Sequence, residues 1–117
     1  MNREIKFRAW VPSEKAMIAH REVVERAHHQ FNDKLGGEKD VVMQYTGLKD
    51  KNGKEIYEGD LVREYGSDID CGVDVVEYSI NRFICRNLDT GGVSELDCGD
   101  NYRVVGNIYE NPELINQ

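Results

Sequence analysis

Cysteine pairing is the first thing this sequence lacks. Cys71, Cys85 and Cys98 are an odd number, and no two of them stand in a C-x-x-C arrangement. That argues against a disulfide-stapled scaffold or a zinc ribbon, and for a cytosolic chain with reduced thiols. No apolar run approaches the ~20 residues of a membrane span. The start, MNREIKFRAW, carries four charges in its first eight residues and has no apolar leader core. There is no G-x-x-x-x-G-K loop to cradle phosphate, although Gly36-Gly37 and Gly91-Gly92 occur. An H-E-x-x-H pair is missing too: His28 and His29 are adjacent, so they point about a quarter-turn apart and share a metal poorly. Basic surplus is also wanting, since the net charge is −7. Residues 1–36 carry +2, residues 37–67 −2, residues 68–100 −6 and residues 101–117 −1. A phosphate-neutralising footprint of the kind that binds nucleic acid is therefore not expected.

What is present is enough for one modest core. A chain of 117 residues is expected to be a single domain that buries roughly two thirds of its unfolded surface. Ile5–Trp10 alternates apolar and basic residues and reads as a strand with Ile5, Phe7 and Ala9 on one face. Pro12–Lys15 is a turn, and Ala16–Ile18 a short return strand. Val23, Ala27, Phe31 and Leu35 then lie four apart, which predicts a helix over Arg21–Leu35, stopped by Gly36-Gly37. From Asp40 onward β-formers dominate: strands are predicted at Asp40–Thr46, from Leu61, over Val73–Tyr78, Phe83–Arg86, Val93–Leu96 and Tyr102–Tyr109. Strands every 8–12 residues, punctuated by Gly, Asn and Asp, suggest a small antiparallel barrel. Asn111-Pro112-Glu113 has the order of a helix N-terminus.

The centre of this plan is Gln44–Val62, QYTGLKDKNGKEIYEGDLV. Asn52-Gly53 signals a two-residue type I′ hairpin, since both residues tolerate φ > 0. That register sets Lys51 against Lys54, Asp50 against Glu55 and Leu48 against Tyr57. The longer block Met43–Val62 resembles the hallmark of the YopX family of small bacteriophage and prophage proteins. Ile5–Trp10 (IKFRAW) and Val104–Leu114 (VVGNIYENPEL) resemble the same family. The resemblance implies a phage or prophage source and an α+β fold with a small SH3-like barrel. Combined with the residue pattern, this places an N-terminal hairpin-and-helix lobe in residues 1–42 and the barrel lobe in residues 43–117 of one domain. It implies no particular activity.

Candidate chemistry is thin. Asp50-x-Asn52 and Asp68-x-Asp70 begin like calcium loops, but the sixth and twelfth positions hold Glu55 and Leu61, or Val73 and Ser79, where Gly and Glu are needed. A looser cation site from Asp68, Asp70 and Asp74 is outweighed by a solvated loop. Cys85 lies in an apolar strand, where a thiol behaves as a small hydrophobe. Glu58 and Asp60 could do acid–base work, yet Asp after Gly at a strand entry is usually a turn former. The six tyrosines all fall on predicted strands, and one or two left exposed could anchor a partner. Tyr45, Asp50, Asn52, Tyr57, Glu58, Asp60 and Tyr109 are thus the candidate binding residues, with no catalytic residue, metal or cofactor expected. The expected role is a non-enzymatic interaction module in a bacterial host cytoplasm, with a host or phage protein as partner. The alternatives are an acidic DNA mimic and a small metal-dependent hydrolase built on Asp60. The terminal strands, Ile5–Trp10 and Tyr102–Tyr109, are the expected sheet edges, which leaves room for a homo-oligomer built through them.

Overall fold

The computed structural model describes residues 5–27, 40–64, 72–96 and 98–115. The chain forms two compact units, Met1–Tyr45 and Thr46–Gln117. Two antiparallel sheets and one short helix make the described residues predominantly β.

The first unit contains β1 (Phe7–Val11), β2 (Ala16–Ile18), α1 (His20–Ala27) and the first half of β3 (Val41–Lys49). β1 lies between β2 and β3, pairing Ala9 with Ile18 on one side and Phe7 with Gln44 on the other. The expectation that the first strand is an edge is therefore overturned: both of its ladders are filled. The core-facing residues are Ala9, Val11 and Ile18, joined by Val23 from the helix. Ile5, expected on that face, is 67% exposed, because it precedes the strand. The helix opens on His20, whose Nδ1 accepts the Phe7 amide at 3.0 Å. The part of the expected helix beyond Ala27 lies outside the described residues.

The second unit is where the predicted barrel residues fall. It adds β4 (Glu55–Tyr57), β5 (Asp60–Glu64), β6 (Asp74–Ser79), β7 (Arg82–Asn87), β8 (Val93–Glu95) and β9 (Tyr102–Asn107). A single 3₁₀ turn, Pro112–Leu114, follows. Five strands form one sheet in the order β8-β7-β6-β5-β9. Side chains alternate across a strand, and here neighbours in sequence enter different clusters. Val62, Val76, Phe83, Cys85 and Leu96 pack with Ile56, Leu48, Tyr102 and Val104. Leu61, Val73 and Val75 pack instead with Leu88, Val105, Ile108 and Leu114. Each such fully buried aliphatic side chain contributes about 1.5–3 kcal/mol. A bulge between Leu61 and Val62 shifts the β5–β9 register, so Leu61 faces Gly106 and Val62 faces Val104.

The β3–β4 hairpin departs from the two-residue turn. Gly53 has φ +85, but Asn52 is not among the residues with positive φ, so the type I′ assignment fails. Instead the Gly53 amide donates to the Asp50 carbonyl at 3.0 Å, and the Asp50 amide to the Lys54 carbonyl at 2.7 Å. The loop is Lys51-Asn52-Gly53, a turn followed by a left-handed glycine. Asp50 stands level with Lys54 rather than Glu55, one residue from the expected register. The cause is the Asp50 side chain, which folds back on the turn.

The tip of this hairpin reaches the outer edge of β9. The Lys51 amide donates to the Tyr102 carbonyl at 3.0 Å, and the Val104 amide donates to Asp50 Oδ2 at 2.9 Å. Gly99 makes this approach feasible: a Cβ there would collide with the Lys49 carbonyl and press on Ile56. Tyr102–Tyr109 is thus only in part an edge, and as a strand it ends at Asn107.

Candidate functional site

Of the seven candidate residues, Tyr45, Asp50, Tyr57 and Asp60 are buried, and Asn52, Glu58 and Tyr109 are not. Tyr45 is buried, its ring 5.2 Å from Lys6 Nζ. Tyr57 is buried too, with its hydroxyl donating to Glu55 Oε1 at 3.2 Å. Asn52 is exposed at the hairpin tip, and Glu58 is half-buried in the turn between β4 and β5. Tyr109 is half-buried in the turn after β9, not on a strand.

The two buried carboxylates are engaged with the backbone. Asp50 is only 4% exposed. Its Oδ1 accepts the amides of Asn52 at 2.8 Å and Lys54 at 2.9 Å, while Oδ2 takes Val104. Burial pushes its carboxyl up, but these three amides and the Lys54 charge prevail and hold it below the usual 3.8. Asp60, 1% exposed, accepts the Tyr57 amide through Oδ2 at 2.7 Å and so closes the Glu58-Gly59 turn. Asp74, from the looser cation set, accepts Asn87 Nδ2 at 2.9 Å. Burial first and then the Glu64 charge push its carboxyl up, against the Asn87 bond. Asp68, Asp70 and Cys71 lie outside the described residues. Among the described residues no group of three or more His, Cys, Asp or Glu could hold a metal ion.

Sequence reasoning missed Asn107 in the VVGNIYENPEL block and gave Asn111 a different partner. Asn107 Oδ1 accepts the amides of Tyr109 at 3.0 Å and Glu110 at 2.8 Å, and its Nδ2 donates to Glu110 Oε1 at 2.7 Å. Asn111, expected to cap a helix, makes no such cap; its Oδ1 accepts the Asn107 amide at 3.1 Å. The side-chain oxygen thus does for the turn what it was expected to do for a helix.

Cys85 is enclosed beside Tyr102, whose hydroxyl hydrogen-bonds to it and to Ser94. Burial, with the Asp74 charge, pushes the thiol up to about 12. Burial, then the neighbouring Cys85, pushes Tyr102 to about 12 as well. Neither group ionises near neutrality, so the cluster packs rather than reacts.

The most exposed of the large apolar side chains lies on the β6–β7 hairpin. Tyr78 pairs with Phe83 and Ser79 with Arg82, leaving Ile80-Asn81 as a two-residue turn. Their φ values are 47° and 68°, so the type I′ turn expected at Asn52-Gly53 occurs here instead. Ile80 is 86% exposed, and Tyr78, stacked edge-on against Phe83 at 4.9 Å, is 45% exposed. A β-branched residue at φ > 0 is a backbone outlier, costing about 1–2 kcal/mol.

The model of the YopX protein family matches residues 6–116. The chain belongs to that family. All three hallmark blocks contribute to the matched span, and in this YopX family member Asp50, Gly53, Asp60, Asn107 and Asn111 form its turns. Among solved structures, the chain is similar to protein EF1440 from Enterococcus faecalis, with a TM-score of 0.66 and 28% identity. That likeness covers 97% of this chain and 99% of the other. The search of curated proteins returned no match. No helix among the described residues is long and apolar enough to cross a membrane.

Proposed function

We propose that this YopX family member is a small non-enzymatic interaction module of a bacteriophage or prophage, acting on a protein in the bacterial host cytoplasm. Its second unit is read as an SH3-like barrel. The curl of the five-stranded sheet supports this, because Tyr102 of β9 meets Ser94 of β8 and the Asp50 turn docks on β9. The observation that carries the interaction reading is Ile80. Folding alone favours Asn or Gly at that position and a polar residue at that exposure. An apolar β-branched side chain held outward against both preferences is explained by a partner that receives it. Tyr78 supplies a rigid aromatic beside it, and Arg82 a charge at the rim.

The test compares the tagged chain with its Ile80→Asn variant in capture from bacterial host lysate, followed by titration of the purified captured protein. At least one protein should bind the parent chain and bind the variant at least tenfold more weakly, although the variant folds as stably or better. Identical capture by both chains would overturn the reading.

A further inference from the structure

We propose that β8 is an open docking edge that receives an extended, Lys/Arg-bearing segment of a partner protein as an added strand. The inference rests on the interaction-module reading and names where and what such a module binds.

The geometry comes from the ladder between β7 and β8. Ile84 faces Glu95, Cys85 faces Ser94 and Arg86 faces Val93. The Asn87 amide donates to the Gly92 carbonyl at 2.8 Å, and the Leu96 amide to the Phe83 carbonyl at 3.0 Å. Directly opposed residues in an antiparallel ladder alternate between bonded and non-bonded pairs. The Gly92 carbonyl and the backbone groups of Ser94 and Leu96 therefore face β7. Val93 and Glu95 turn theirs away, to the side where the sheet ends. All three β8 residues are exposed, Val93 to 52%. The opposite edge of the same sheet is different in kind, because Lys51 and Asp50 already occupy β9. Among the described residues, one edge of the sheet is thus occupied and no strand pairs with the other.

Charge selects the occupant. Residues 87–100 contain Asp89, Glu95, Asp97 and Asp100, and no Lys or Arg. A second copy of β8 would bring the same acidic stretch alongside, in a chain of net charge −7. Like charges placed across a strand pair are unfavourable, whereas a basic strand complements them. Val93 gives such a strand one apolar contact on the face it shares with Glu95. Among the described residues, Val93 and Glu95 are the ones that offer outward amides, so the added strand is short and its binding salt-sensitive.

The experiment uses the full ¹⁵N-labelled chain and three synthetic hexapeptides. One alternates Lys and Val, one alternates Glu and Val, and the third is the Lys–Val peptide with its pairing amides N-methylated. The Lys–Val peptide should slow hydrogen exchange at the Val93 and Glu95 amides at least tenfold at saturation. Its affinity should fall as salt rises, and the Glu–Val and N-methylated peptides should give no slowing. Val93→Pro removes an outward donor without touching the β7 ladder, and should abolish the effect with β6–β7 amide shifts unchanged. Equal binding by the N-methylated peptide would reduce the effect to charge alone and overturn strand addition. Protection that grows with protein concentration without peptide would assign the edge to a second copy and overturn the proposal too. A captured partner that is lost with Ile80→Asn but retained with Val93→Pro would keep the interaction module and sink the β8 edge alone.

Discussion

Asp50 shows how much one side chain can organise. Its two oxygens tie the hairpin loop to itself and to Val104, which lies 54 positions away in sequence. Hydrogen bonds to a charged acceptor contribute about 1.5–3 kcal/mol each when their loss strands a buried donor. Asp50→Asn replaces one acceptor oxygen by a donor facing the Val104 amide, and should destabilise the chain by about 2–3 kcal/mol in urea unfolding at pH 7. The pH dependence has a definite sign. A carboxyl held below its unfolded value stabilises the folded state above that value, and the contribution drains away as pH falls through the lower folded value. Parent stability should therefore drop below pH 3.8, and that part of the drop should be missing in Asp50→Asn. Cys85 makes a second residue-level expectation. With its thiol raised to about 12 and its side chain buried, it should label only on unfolding, whereas exposed Cys98 should label at once. Fast labelling of Cys85 in the native chain would remove it from the core.

Two hairpin tips exchange the roles that their sequences suggest. Asn52-Gly53 has the composition of a type I′ turn, yet Asp50 offers the loop amides an acceptor and pulls the chain into a longer turn. Ile80-Asn81 has the wrong first residue, yet the β6–β7 ladder on both flanks forces φ > 0. Opposite substitutions should reveal this. Gly53→Val should cost about 1–2 kcal/mol, because φ +85 strains any β-branched side chain even with open space around it. Ile80→Asn should gain about 1 kcal/mol by relieving the same strain. Thermal melts of both variants against the parent chain would check the pair; shifts of the same sign would contradict the assignment. Local pattern made the strands and most turns legible, since period-two alternation and Gly/Asn punctuation are written residue by residue. What it could not show were choices made by distant partners: the Asp50–Val104 bond, the Asn107–Asn111 reciprocity, and the burial of β1 between two neighbours. Six of the seven candidate residues come from the hallmark block, and two of its carboxylates, Asp50 and Asp60, hold turns. The turn between Tyr78 and Phe83 was legible at Asn81-Arg82, but the structure sets it one residue earlier, at Ile80-Asn81, and an isoleucine gives no sign that it will adopt φ > 0.

For the whole molecule, the charge balance makes its own statement. With −7 overall, binding to duplex DNA at physiological salt should be no tighter than ~10⁻⁴ M, the weak end of non-specific association. Fluorescence anisotropy would measure it, and a submicromolar result would redirect attention to the Arg and Lys residues of the first unit. The closure of the second unit sets a different constraint, one of timing. Its first hairpin is made early in synthesis, but the groups that receive it are Tyr102 and Val104, near the other end. Contacts so far apart in sequence are slow to form, and they cannot form at all while the later strand is still inside the ribosome. Folding of this unit therefore waits until synthesis has passed Val104. A product halted before Val104 would leave the Ile56, Val62 and Val76 cluster without Tyr102 and Val104 against it, and should be cut by proteases faster than the full chain.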